Sequence, residues 1–167
     1  MNWFGLRLRI TCLVLTLLPG VVGQRAFAAD PDVPSASTAL EDAKAIADRH
    51  EGAAVFRVSG TSMLPYFGDG ALLVMKPIPA SRLRPGMVVV YRNRLGETVA
   101  HRLVAEAREG WVVRGYNNDR PDSTRVDGTN LQGVVYAILH PRNIESESDA
   151  PDGALRDVPV ALAAPAR

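Results

Sequence analysis

Two kinds of patterning alternate along this chain. Thr38-x-x-Glu41 forms a capping box, and Ala39-Leu40-Glu41-Asp42-Ala43-Lys44-Ala45-Ile46-Ala47 has the composition of a helix ending near His50 to Gly52. Beyond that point the apolar residues gather into short runs separated by turn formers. Val55–Val58 is the first run, followed by a Gly/Ser/Thr turn. Ala71–Met75 is the second, closed by Pro77 and Pro79, and Met87–Tyr91 is the third, introduced by Arg84-Pro85-Gly86. Thr98–Glu106 and Trp111–Arg114 flank Arg108-Glu109-Gly110, a connection short enough for a hairpin. Asn130–Leu139 is the last run. Short β-branched strands between turns predict a mostly β, barrel-like core over residues 53–141, preceded by a linker and helix over 29–52. Residues 142–167 are rich in Ser, Asp, Ala and Pro and are expected to be a disordered tail. No internal repeat is visible.

The first 28 residues follow another logic. Arg7 and Arg9 precede an apolar run from Ile10 to Val22, and Gln24-Arg25-Ala26-Phe27-Ala28 ends in a small-x-small sequence. This is the layout of an export signal, with cleavage expected after Ala28. The run of 13 residues is short for a bilayer span, which needs roughly 20. Pro19-Gly20 breaks a helix near its end. An uncleaved signal-anchor is the alternative, and it would tie the chain to a membrane. Either way the chain is expected outside the cytoplasm, in the periplasm or cell envelope.

Composition narrows the chemistry. The only cysteine, Cys12, lies within the apolar run, so the exported portion holds no disulfide and no thiol nucleophile. Its position inside the run also disfavours a lipid-anchoring role. Histidines at 50, 101 and 140 have no metal-ligand spacing, and neither a metal nor a cofactor is expected. Net charge is +1 for the 167 residues. Loss of residues 1–28 removes Arg7, Arg9 and Arg25 from 19 basic residues and none of the 18 acidic ones, leaving about −2. A nucleic-acid partner is therefore not expected.

The informative stretch is Ser59-Gly60-Thr61-Ser62-Met63-Leu64-Pro65, followed by Gly68-Asp69-Gly70 and the run from Ala71. Gly60 allows positive φ or a close backbone approach, so Ser62 can sit on a tight turn with its hydroxyl presented. Backbone N–H groups around Gly60 and Thr61 are then candidates to hold an oxyanion. Met63 and Pro65 would pack and stiffen the turn and border a bound substrate.

Gly-x-Ser-Met-x-Pro, then Gly-Asp, an apolar strand and Arg84-Pro85-Gly86-Met87-Val88-Val89-Val90 together resemble the signal peptidase I superfamily. That superfamily includes bacterial and endoplasmic-reticulum signal peptidases, conjugation-pilin peptidases and self-cleaving repressors. The resemblance covers roughly Val55 to Leu139 and implies a compact signal-peptidase-like β-barrel. It also implies that Ser62 is the nucleophile, and that His101 in Ala100-His101-Arg102-Leu103-Val104 is the general base. The Ser–His pairing is similar to the endoplasmic-reticulum branch rather than to the Ser–Lys dyad. A serine hydroxyl needs such a base, and an imidazole titrates near neutrality. Arg114-Gly115-Tyr116-Asn117-Asn118-Asp119-Arg120-Pro121-Asp122-Ser123 resembles the family's Gly-Asp-Asn…Asp-Ser box. Asp122 then falls on the carboxylate that orients the base, with Asp119 as its rival. Tyr116 departs from the family, which usually has Asp there. Gly60 departs too, standing where the family often has a hydroxyl donor for the oxyanion; the Ser62 N–H, with Gly60, Ser59 or Thr61, is left for that role.

The expected activity is that of a serine endopeptidase acting on exported protein or peptide precursors, cutting after small residues and binding substrate as an added strand. The spacing between Leu73 and Arg82 leaves no room for a large inserted second domain. A catalytically inactive peptide-binding module of the same fold is the alternative. A self-cleaving regulator is the third reading, although no helix-turn-helix accompanies the core. If the export signal is removed as expected, N-terminal sequencing of the secreted chain reads Ala29-Asp30; an intact Met1 terminus would instead indicate the anchor.

Overall fold

The computed structural model describes residues 33–142, 155 and 157–163. The expected export segment, residues 1–28, lies outside these. Among the described residues no helix is long and apolar enough to cross a membrane.

The helix α1 spans Ala36–Ala47 and begins earlier than its capping box suggests. Ser35, not Thr38, is the N-cap, its hydroxyl accepting from the Thr38 N–H at 3.2 Å. Ala36, Ala39, Leu40, Ala43 and Ala47 form its buried stripe. Their spacing is that of one helix face.

Eight strands follow: β1 Ala54–Ser59, β2 Leu72–Lys76, β3 Val88–Arg92, β4 Thr98–Ala107, β5 Gly110–Arg114, β6 Arg125–Val126, β7 Leu131–Leu139 and β8 Val160–Leu162. Six of them form a closed barrel in the order β3-β7-β2-β1-β8-β4, sealed by the antiparallel pairing of β3 with β4. β5 and β6 extend the sheet beyond β4. Ten-residue β4 serves both structures. Thr98–Arg102 pair with β3, and from Arg102 to Ala107 the strand runs along β5, with a register shift at Leu103/Ala105.

Burial explains why these runs become strands. Leu72 and Val74 of β2 pack under α1 together with Leu155 and Val158, whereas Leu73 and Met75 face the barrel interior with Phe56, Val58, Val90, Ala100 and Ala161. A strand buried on both faces reads as an unbroken apolar run, as 71–75 does. A third cluster, including Leu83, Val89, Tyr91, Val99, Leu103, Trp111, Val113 and Val126, lies outside the ring beneath β5 and β6.

Two strands depart from the expectation. β6 is only two residues long, too short for periodicity to show. β8 comes from the segment read as a disordered tail, so the core extends beyond the boundary placed at 141. Pro159-Val160-Ala161-Leu162 has neither the length nor the β-branched content that signals a strand alone. It is ordered by hydrogen bonds from neighbours on both sides.

Leu73 is fully buried and Leu95 is 67% exposed. Leu73→Ala is expected to cost about 2–5 kcal/mol of unfolding free energy. Leu95→Ala should remain within about 0.5 kcal/mol of the parent. Urea titrations of both variants measure the difference.

Candidate active site

β1 delivers the chain to Gly60, whose φ of +112° is open to glycine and strained for other residues. The Gly60 N–H donates to Asp69 Oδ1 at 2.6 Å, fastening the turn to the loop that enters β2. Fully buried Met63 and nearly buried Phe67 then plug the turn into the barrel interior. Ser62 is held between these anchors and is 2% exposed. Pro65 lies exposed after a cis peptide bond. Met63 shares its cluster with Ala161 and Ala163, so it adjoins the space those two residues occupy.

β4 supplies His101, paired across from Val89 of β3 and 2% exposed. Its side chain lies on the outer face of the ring, with Val99 and Leu103 on either side along the strand. The Ser62 Oγ stands 2.7 Å from His101 Nε2, and His101 Nδ1 stands 2.5 Å from Asp122 Oδ2. A carboxylate only accepts, so Nδ1 carries the proton and Nε2 is left as the acceptor facing the serine hydroxyl. The backbone fixes Asp122 as well. Its N–H donates to the Val113 carbonyl at 2.9 Å, and the Arg125 guanidinium donates to its carbonyl at 3.0 Å. Of the two rival acids, Asp122 reaches the imidazole, whereas Asp119 is exposed.

The turn after β5 clasps the nucleophile from the opposite side. The Asn117 N–H donates to the Ser62 carbonyl at 2.7 Å, and Asn117 Nδ2 to the Thr61 carbonyl at 3.3 Å. A Cβ on Gly115 would stand 2.6 Å from the Ser62 carbonyl oxygen and 2.9 Å from its Cβ. Backbone cannot yield to that clash, so this approach requires glycine. Tyr116 lies against the ring of Tyr66, with centroids 4.2 Å apart. The Arg102 guanidinium sits 4.4 Å from the Tyr116 ring centroid. Tyr116 thus holds this arginine by a cation–π contact.

The candidate oxyanion donors separate clearly. The Gly60 N–H is committed to Asp69, which removes it from that role. The Ser62 N–H donates to a carbonyl oxygen, that of Ala163, at 2.8 Å. Thr61 is exposed, and its carbonyl is taken up by Asn117.

No sequence motif marks Tyr91 as part of the site. Its hydroxyl donates to Asp122 Oδ2, the oxygen that also receives His101 Nδ1. Burial first, then the charge of Asp122, pushes the Tyr91 phenol far above the ordinary tyrosine range. It therefore remains a donor and never a competing anion. The available signal was a phenol closing an aliphatic strand, because a buried tyrosine hydroxyl has to find a partner. The partner's identity was not readable.

A scan of protein-family models, a search of curated proteins and a search of solved structures each return no match. The arrangement of Ser62, His101 and Asp122 stands on its own geometry: a hydroxyl, an oriented base and a partly buried carboxylate in line, the constellation of nucleophilic acyl transfer.

The raised Tyr91 pKa has a consequence for stability. The folded state holds the phenol proton more tightly than the unfolded chain, which begins to lose it near pH 10. Stability from this group is therefore complete below that pH and declines above it, by about 1.4 kcal/mol per pH unit. Tyr91→Phe should lack this component, so its urea midpoint falls less than that of the parent between pH 9 and pH 11.

Proposed function

We propose that this chain is a serine endopeptidase of the signal peptidase I type, acting on exported precursors after small residues. The observation that carries the reading is the unbroken line from Ser62 Oγ through His101 to Asp122, at 2.7 and 2.5 Å. The order of its motifs along the chain supports the same class.

In this reading Ser62 Oγ attacks the scissile carbonyl while His101 Nε2 takes its proton. Asp122 keeps the other ring nitrogen protonated and stabilises the imidazolium that forms. The Ser62 N–H receives the developing oxyanion. The imidazolium then returns its proton to the departing amine. Water, deprotonated by the same base, releases the acyl group from the serine. Tyr91 is a positioning residue, fixing the carboxylate without meeting the substrate. Near-complete burial of Ser62 and His101 strengthens each of these electrostatic interactions.

Ser62→Ala and His101→Ala are each expected to reduce cleavage of Ala-x-Ala peptides by at least about 1,000-fold, and Asp122→Asn by up to about 10,000-fold. Circular dichroism should show all three folded, and mass spectrometry locates the cut. Peptide binding without Ser62-dependent turnover would establish the inactive module instead.

A further inference from the structure

β8 occupies an unusual place in the ring. β1 and β4 do not pair with each other, and the gap between them is bridged by β8, which runs parallel to both. Its partners are Arg57 for Val160, Val58 for Ala161 and Ser59 for Leu162, with Val99 of β4 also beside Leu162. The Arg57 N–H donates to the Pro159 carbonyl at 2.9 Å, and the Ala163 N–H to the Ser59 carbonyl at 2.7 Å. Such backbone pairing is how an extended peptide is added to an open sheet edge.

The register leads straight to the nucleophile. The Ala163 carbonyl oxygen accepts from the Ser62 N–H at 2.8 Å, on the residue whose hydroxyl His101 holds. Ala161 and Ala163 are both fully buried in the barrel interior, in the cluster that holds Met63 and Phe67. Leu162 turns to the other face, and Val160 is 40% exposed. Alternate residues therefore enter the interior, both are alanine, and the second ends at the serine. Ala161-Leu162-Ala163 is a small-x-small sequence in the position and direction of a strand about to be cut.

We propose that residues 160–163 are a substrate-like strand held in cis, so that the chain blocks its own groove until β8 is displaced. The inference rests on the proteolytic reading for its kinetic consequence. Attack by Ser62 Oγ on the Ala163 carbonyl carbon would pass the hydroxyl proton through His101 to the amine of Ala164. Hydrolysis of the resulting ester by water would leave Ala163 as a new C-terminus. The cut falls after the last residue paired with β1, so the strand and the block outlast it. A tethered strand acts at an effective concentration on the order of millimolar, and a competing peptide must exceed that.

The test places a charge on the buried side of β8 in the full-length chain, as Ala161→Asp or Ala163→Asp, with fold checked by circular dichroism. Turnover of an Ala-x-Ala peptide should rise tenfold or more, and a synthetic peptide of residues 157–164 in excess should return it to the parent rate. A folded variant no faster than the parent, or one indifferent to the peptide, overturns the proposal. If the charge unfolds the barrel, Arg57→Cys with Val160→Cys in a Cys12→Ser background joins two residues already paired across β1 and β8. Oxidation should then lower turnover at least fivefold and a reductant restore it; equal turnover in both states overturns the block. The fluorescent peptide 157–164 separates this inference from the one beneath it. Binding to the Ala163→Asp chain in the absence of any cleavage keeps β8 as the groove's occupant and removes the protease, whereas failure to bind removes the occupant.

Discussion

The hydrogen bond between Ser62 and His101 joins positions 39 residues apart, and most of the architecture serves to make it short. A serine on a loop and a histidine on a strand do not meet through local preference. They meet because β3 pairs with both β4 and β7, curling the sheet until the end of β1 stands beside the middle of β4. Gly60 and Asp69 shape the turn on one side, and Gly115 and Asn117 press against it from the other. Two independent clasps leave Ser62 little freedom. Pre-organisation of that kind is what acyl-transfer chemistry requires.

Burying a carboxylate, an imidazole and a hydroxyl together carries a desolvation cost that the hydrogen-bond network offsets in part, since Asp122 Oδ1 is buried without a hydrogen-bond partner among the described residues. Asp122 Oδ2 receives two donors, Tyr91 and His101. The tyrosine is the more economical of the two partners in charge. It donates without adding a positive charge, so the carboxylate's field remains directed at the His101 ring. An arginine in the same place would neutralise that field. The Arg125 guanidinium meets Asp122 at its main-chain carbonyl rather than its carboxylate, and Arg102 is directed to Tyr116.

The barrel is complete only with β8, a strand that follows the seven others in sequence. The seam between β1 and β4, filled here by β8, is a place where an extended segment pairs with sheet edges; a ring of directly paired strands would have no such edge to offer. The same seam leaves backbone donors and acceptors unpaired unless something fills it. A tail of small residues satisfies those groups and fits the narrow interior positions. Closure of the ring and occupancy of the seam thus have one physical source.

The sequence alone carried the strand-rich core, the helix before it, and the types and order of the chemical groups: a serine on a glycine turn, a histidine on a later strand, an aspartate in a polar turn. Those features are local, set by turn chemistry, by apolar runs and by which side chains can attack or abstract. The helix start was displaced to Ser35 because neighbouring hydroxyls compete equally well on paper, and packing against β2 decides between them. Asp122 over Asp119, Tyr91 as the second donor to the carboxylate, and Gly60's N–H turned to Asp69 were choices made only by tertiary structure. So was β8. Its few residues have too little length or strand preference to announce themselves, and they become a strand because β1 and β4 present a seam of unpaired backbone groups that no local pattern encodes.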